Sequence, residues 1–292
     1  ADGPTQLNDG GWPVDDAGVI VTGDGQVVIT NDAGHQYVCN ITTCAAKRLA
    51  CGNCLDDDGD GLVDSHDPEC LNPCDNTEGP ELIAGIGGGG GMTCKVDCYF
   101  YFGNGGGNDS CLWYHECDPL APEANLGCDY DPDMVGTSRC PVPQAEKCTQ
   151  FCLPYTPNGC DCFGCCTFPE LADKGEGGKP AFIWIGAMNR DKVGTCTFND
   201  ILDEAKCPRC TPITGAGACY NECGPCEVCI GRPVPPPECF QTPDGGTAPT
   251  DAGVIPPTEQ CPDGKQPCGL PGQAECPENY YCLTGCCQKT IL

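Results

Sequence analysis

The sequence predicts a small disulfide-rich fold, mostly β and irregular: an N-terminal β-hairpin or meander, a stapled middle body and a C-terminal six-cysteine knot. Three observations predict it. The 292 residues include 32 cysteines, a density at which covalent cross-links replace much of a buried core and which persists in oxidising surroundings. Aromatic residues make up 7% of the chain, too few for an ordinary core at this length. The 41 Gly and 29 Pro cut the chain into short runs bounded by turns. An even cysteine count permits full pairing with no thiol left over, and the pairing itself stays open.

Cysteine spacing orders the elements. Residues 1–38 contain no cysteine and form an N-terminal β arm, because Val19 to Thr22 and Val27 to Thr30 flank Gly23-Asp24-Gly25 in the manner of a hairpin. Residues 39–166 are a disulfide-rich body of short strands and loops, with a glycine run at Gly87 to Gly91. Residues 167–232 are a second disulfide-rich segment whose apolar run Lys179 to Gly186 reads as a strand. A short helix is expected at Asn199 to Lys206, capped by Asn199 or Asp200. Residues 233–260 are a Pro/Gly-rich linker, and 261–292 are a cysteine-knot-like module. Asp9 to Ile20 repeats as Asp244 to Ile255, identical at Asp-Gly-Gly and Asp-Ala-Gly-Val-Ile. The repeat reads either as spacer written twice or as an extended segment that lies on another surface or adds a strand to it.

Charge narrows the partners. With 14 Lys plus Arg against 42 Asp plus Glu, the net charge is −28, so nucleic acid and anionic membranes repel the chain and cations attract it. No apolar run is long enough to span a bilayer, and the start Ala1-Asp2-Gly3-Pro4 lacks the pattern of an export signal. The expectation is a mature secreted chain, extracellular or at a cell surface.

The strongest chemical signal is Asp56 to Asp67. Asp56, Asp58, Asp60, the Leu62 carbonyl, Asp64 and Asp67 fall at positions 1, 3, 5, 7, 9 and 12 of an EF-hand-type loop, with Gly61 at its tight turn, and such a loop wraps oxygens around Ca²⁺. Cys51 and Cys54 precede it, Pro68 follows, and position 12 is an aspartate, so flanking helices are not expected. A weaker second site is Asp129, Asp131 and Asp133. Asn104, Asn108, Asp109 and Asp118 are a fainter oxygen-rich neighbourhood. The cysteines of the Cys-x-x-Cys motifs, such as Cys51, Cys54, Cys207 and Cys210, read as disulfide-bonded with their connectivity open in an exported chain, where a cytosolic chain would suggest zinc.

Catalysis finds little support. The chain has three histidines and three serines and no nucleophile elbow, zincin motif or phosphate loop, so it is read as not an enzyme. Tyr99 to Phe102, Trp113 and Tyr114 read either as scarce core or as a ligand platform. Asn40-Ile41-Thr42 and Asn108-Asp109-Ser110 are glycosylation sequons.

The acidic loop with its flanking cysteines resembles the calcium loops of thrombospondin type 3 repeats. Cys98-Tyr99-Phe100, Gly107-Asn108-Asp109, Cys111-Leu112-Trp113 and Cys117 to Glu123 resemble an uncharacterised family of secreted cysteine-rich proteins of myxobacteria and related bacteria, which lends no settled function. Thr156 to Cys166 and Gln266 to Gln273 fit the same resemblance. The expected function is that of an extracellular structural protein, a calcium-stabilised subunit that assembles with other copies of itself into a fibre, sheath or matrix through its cysteine-free arms. The alternative is a secreted binding module, an adhesin, lectin-like protein or inhibitor, with a glycan or cell-surface component as partner.

Overall fold

The computed structural model describes the strands within residues 1–39, then 41–44, 47–64, 67, 69–79, 82, 94–101, 110–191, 193–215, 218–239, 261, 264–270, 273–274, 276–277 and 279–289. The glycine run, both sequons' asparagines, Asn104, Asp109, His66 and the second copy of the repeat lie outside the described residues. All 32 cysteines pair in sixteen disulfides and none is free.

Strands β1 (Gln6–Leu7), β2 (Pro13–Val14), β3 (Ile20–Val21), β4 (Val27–Thr30) and β5 (Gln36–Cys39) pair antiparallel in sequence order. Val27 stands opposite Cys39, and Cys39 is bonded to Cys54, so β5 leads directly into the cross-linked body. Three further antiparallel pairs hold the rest. They are β6 (Lys95–Val96) with β7 (Trp113–Tyr114), β8 (Cys165–Cys166) with β9 (Ile183–Trp184), and β10 (Tyr280–Leu283) with β11 (Cys286–Lys289). Such short strands are marginal alone, and the bridges fix them.

The disulfides fall into local groups. Cys39–Cys54, Cys44–Cys74 and Cys51–Cys70 close a first knot. Cys94–Cys128, Cys98–Cys152, Cys111–Cys148 and Cys117–Cys140 close the aromatic body. Cys162–Cys219 and Cys165–Cys210 cross residue 166 and bind the next segment to that body. Cys261–Cys286, Cys268–Cys282 and Cys276–Cys287 stay within the C-terminal module. That module packs on the body through Tyr281, whose hydroxyl donates to the Pro154 carbonyl at 3.0 Å and whose ring stacks on Tyr155 at 5.7 Å.

The scarce large side chains form the core. Tyr99, Phe100, Tyr101, Trp113, Tyr155, Phe163, Ile183, Trp184 and Ile185 are all buried in one cluster, so among the aromatics the core reading holds for these residues. Gly164 adopts φ +82°, and a Cβ there would stand 3.0 Å from the Tyr99 ring; glycine is required for both reasons.

Two local expectations change. The helix expected at Asn199 to Lys206 is a single 3-10 turn, Phe198–Asp200, followed by turns. The disulfide Cys196–Cys207 holds its Cα atoms 4.7 Å apart, whereas a helix over those residues would separate its ends by about 1.5 Å per residue. Conversely, Glu146–Cys152 forms a seven-residue helix, α1, that the sequence reading passed over. Its apolar face is built from Cys148 and Cys152, one turn apart and both bridged to the body.

No bridge joins the first knot to the aromatic body, so their contact is non-covalent. Asn72, buried between them, donates its amide to the carbonyls of Phe100 at 2.9 Å and Tyr155 at 3.1 Å. Replacing Asn72 by alanine removes both of these buried hydrogen bonds and is expected to cost about 2–4 kcal/mol. Chemical denaturation with the disulfides intact checks this, and an unchanged midpoint would remove Asn72 as the tether.

Candidate metal centre

The acidic loop is folded by its own carboxylates. Asp56 accepts the Gly59 amide on Oδ1 at 2.6 Å and the Gly61 amide on Oδ2 at 3.0 Å. Asp58 Oδ1 accepts from the Asp60 amide at 3.0 Å, and Asp60 Oδ1 from the Leu62 amide at 2.8 Å. Aspartate can bond the backbone two residues ahead in this way, which turns the chain back after each odd position. Gly59 and Gly61 take φ +84° and +93°, the left-handed region that glycine enters without steric cost. Positions 1, 3 and 5 are thereby stacked on one turn, as an oxygen cage requires.

The disulfide frame holds this turn from both sides. Cys54 lies before the loop and is bonded back to Cys39. Cys51 is bonded to Cys70, beyond its far end. Asn53 adds a local clasp, accepting the Leu55 amide and donating to Asp57 Oδ2, both at 2.7 Å.

Burial divides the predicted ligands. Asp56, Asp58 and Asp60 are exposed, Leu62 is half-buried, and Asp64 and Asp67 are 4% and 3% exposed. Asp67 Oδ1 accepts the Glu69 amide at 2.7 Å, while its Oδ2 is buried with no hydrogen-bond partner. Burial, and then repulsion by Asp60, Glu69 and Asp58, bears on the Asp67 carboxylate. Asp64 takes φ +44° and turns the other way. Its Oδ2 accepts the Cys54 amide at 3.0 Å, its Oδ1 is buried without a partner, and the charges that bear on it belong to Glu78 and Asp57.

Two acids that the sequence reading missed complete the cluster. Glu78 is 1% exposed and accepts the Asp57 amide on Oε2 at 2.6 Å and the Asp64 amide on Oε1 at 2.7 Å. Asp75, three residues before it, is also buried and accepts the amides of Leu71 and Thr77. No motif spacing ties either to the loop; the one available signal is that acids directly follow Cys74, the last cysteine of the first knot.

Burial, with repulsion between neighbours, pushes Asp64 up to about 8 and Asp67 and Glu78 to about 7. Desolvation also raises Asp75 well above the ordinary carboxylate range. No Lys or Arg forms an ion pair with these four acids among the described residues. Buried carboxylates without a cationic partner are costly, and hard oxygens with orphaned lone pairs suit a divalent cation such as Ca²⁺.

The other candidates are differently placed. Asp129, Asp131 and Asp133 are exposed, and Asp131 Oδ1 accepts the Asp133 amide at 3.0 Å to cap the turn Pro132–Met134. Asp118 is buried and accepts amides from Leu120 and Thr211. His115 is buried against Trp184, its pKa driven down to about 3 by desolvation, which makes it a neutral core residue.

Raised carboxyl pKa values mean that the folded protein keeps protons the unfolded chain has released. Stability contributed by these groups is therefore full below the ordinary carboxylate range and is lost as pH rises through about 7 to 8. In chelator, the denaturation midpoint is expected to fall between about pH 5 and pH 8, and Asp64→Asn is expected to flatten that fall. A midpoint that rises steadily over this range would contradict the cluster's electrostatics. Compared with protein-family models, with curated proteins and with solved structures, the chain matches none of them, so its functional reading rests on its own residues.

Proposed function

We propose that this chain is an extracellular structural protein, a disulfide-stapled subunit stabilised by a calcium ion in the loop 56–67. In this reading it assembles with other copies of itself into a fibre, sheath or matrix through its cysteine-free arms. The observation that carries the reading is the loop itself. Its backbone is already turned by Asp56, Asp58 and Asp60, it is braced by two disulfides, and Asp67 Oδ2 is buried without a partner. A cation there relieves the repulsion between these acids and stiffens the knot from which the N-terminal arm emerges at Cys39.

Assembly is supported by the arm's topology. Among the described residues, β1 and β5 each pair with one strand, leaving backbone donors and acceptors on their outer edges for a strand of another copy. Docking of that kind in a head-to-tail sense gives an open filament. Bridges throughout the body accord with an exported protein, and among the described residues no helix is long and apolar enough to cross a membrane.

One observation favours a second reading, a secreted binding module. A polar cleft of about 530 Å³ adjoins the loop, lined by Arg48, Asn53, Asp57, Asn76, Thr77 and Glu78. Amide, hydroxyl and charged groups of this kind suit a hydroxyl-rich ligand such as a glycan.

Calcium at a hundredfold excess over its dissociation constant is expected to raise stability by about 2.7 kcal/mol, read as a shift in thermal midpoint against chelator. Electron microscopy of the purified protein is expected to show filaments or sheets with calcium present. Isolated monomers under both conditions would overturn the assembly reading, and calcium-dependent retention on a glycan array would favour the binding module.

A further inference from the structure

A buried acid that bonds the loop on two sides lies outside its motif. Glu78 is 1% exposed, and its two oxygens receive two backbone amides from opposite sides of the loop, Asp57 at 2.6 Å and Asp64 at 2.7 Å. Those amides belong to loop positions 2 and 9. One carboxylate thus joins the entry turn, which carries the first three acidic ligands, to the return segment that leads to Asp67. Asp64 extends the connection, because its own Oδ2 accepts the Cys54 amide at 3.0 Å next to the bridge that anchors β5. The path Asp57–Glu78–Asp64–Cys54 spans the loop through three backbone amides.

We infer that Glu78 is a positioning residue for the calcium loop, a clamp that sets the spacing between positions 2 and 9 before the ion arrives. This inference rests on the calcium reading of residues 56–67. Each Glu78 oxygen accepts an amide of the loop, so its contribution is to hold the ligating turn. Preorganisation matters here because the position 12 ligand is an aspartate, shorter than the usual glutamate, and it leaves the loop less freedom to close around an ion. Groups that orient metal ligands typically change affinity by about 10–100-fold when removed.

Asp75 provides the internal control. It is equally buried and also accepts backbone amides, but those belong to Leu71, Thr77 and Asn76, outside the loop. A general loss of packing should therefore follow from either substitution, whereas a loss of loop spacing should follow from one.

The test is calcium titration calorimetry on the full chain with its disulfides intact, comparing wild type, Glu78→Gln, Glu78→Asp, Asp75→Asn and Asp56→Ala. Glutamine fits the space but offers one acceptor where two amides need them, and aspartate is too short to reach both. Both Glu78 variants are expected to weaken calcium by about 10–100-fold, with Asp75→Asn within about threefold of wild type and Asp56→Ala abolishing binding. Unchanged affinity in Glu78→Gln, or an equal loss in Asp75→Asn, would overturn the positioning role while leaving the calcium site intact. No calcium binding by wild type would overturn the calcium reading itself. Should Glu78→Gln fail to fold, Glu78→Asp and the calcium dependence of its thermal midpoint give the same comparison.

Discussion

Covalent cross-linking is the constraint on which the rest of this molecule depends. A chain with so few large side chains cannot bury enough apolar area to offset its conformational entropy. The bridges lower that entropy in the unfolded state. Cys39–Cys54 spans 15 residues, and closing a loop of that length is worth about 3 kcal/mol in the chain-entropy account. Stabilisation of that size permits what a weakly cored domain could not otherwise tolerate, four buried carboxylates around one turn without a cationic partner among the described residues.

The same constraint explains where secondary structure is found. Much of the helix and strand of the body is fixed by sulfur and not by a continuous apolar face, as in α1 with Cys148 and Cys152, β8 with Cys165 and Cys166, and β11 with Cys286 and Cys287. Helix α1 exists because Cys148 and Cys152 lie on one face and are both tied to the body, and the segment 199–206 is denied a helix because Cys196 and Cys207 are tied to each other. The aromatic cluster then fills the space between bridged segments, with Asn72 and Tyr281 joining the first knot and the C-terminal module to it.

Much of this was legible in the sequence at the level of composition and motif. The turn of the acidic loop could be read, since its Asp-x-Asp-x-Asp-Gly spacing encodes turn geometry within one short segment, and the apolar run ending at Gly186 supplies β9. What could not be read depends on pairing over distance. Nothing in the sequence near Glu78 says that its carboxylate receives the amides of Asp57 and Asp64, because that requires Cys44–Cys74 and Cys51–Cys70 to fold the chain back on itself. Asp64 is similar: its loop position predicts a ligand, while the positive φ it adopts aims its side chain at the Cys54 amide.

These features link the charge of the chain to its architecture. The loop concentrates negative charge beside the disulfide from which the β arm departs, so a bound cation would firm the junction between a rigid body and an arm with open edges. The central claim is that the residues of this loop form a calcium site. Crystals of the protein grown with calcium, with anomalous scattering recorded to place the ion, test it most directly. The account predicts one ion among the carboxylates of Asp56, Asp58, Asp60 and Asp67 and the Leu62 carbonyl, at about 2.3–2.6 Å from its oxygens. A loop without an ion at saturating calcium, or an ion held instead by Asp129, Asp131 and Asp133, would contradict it.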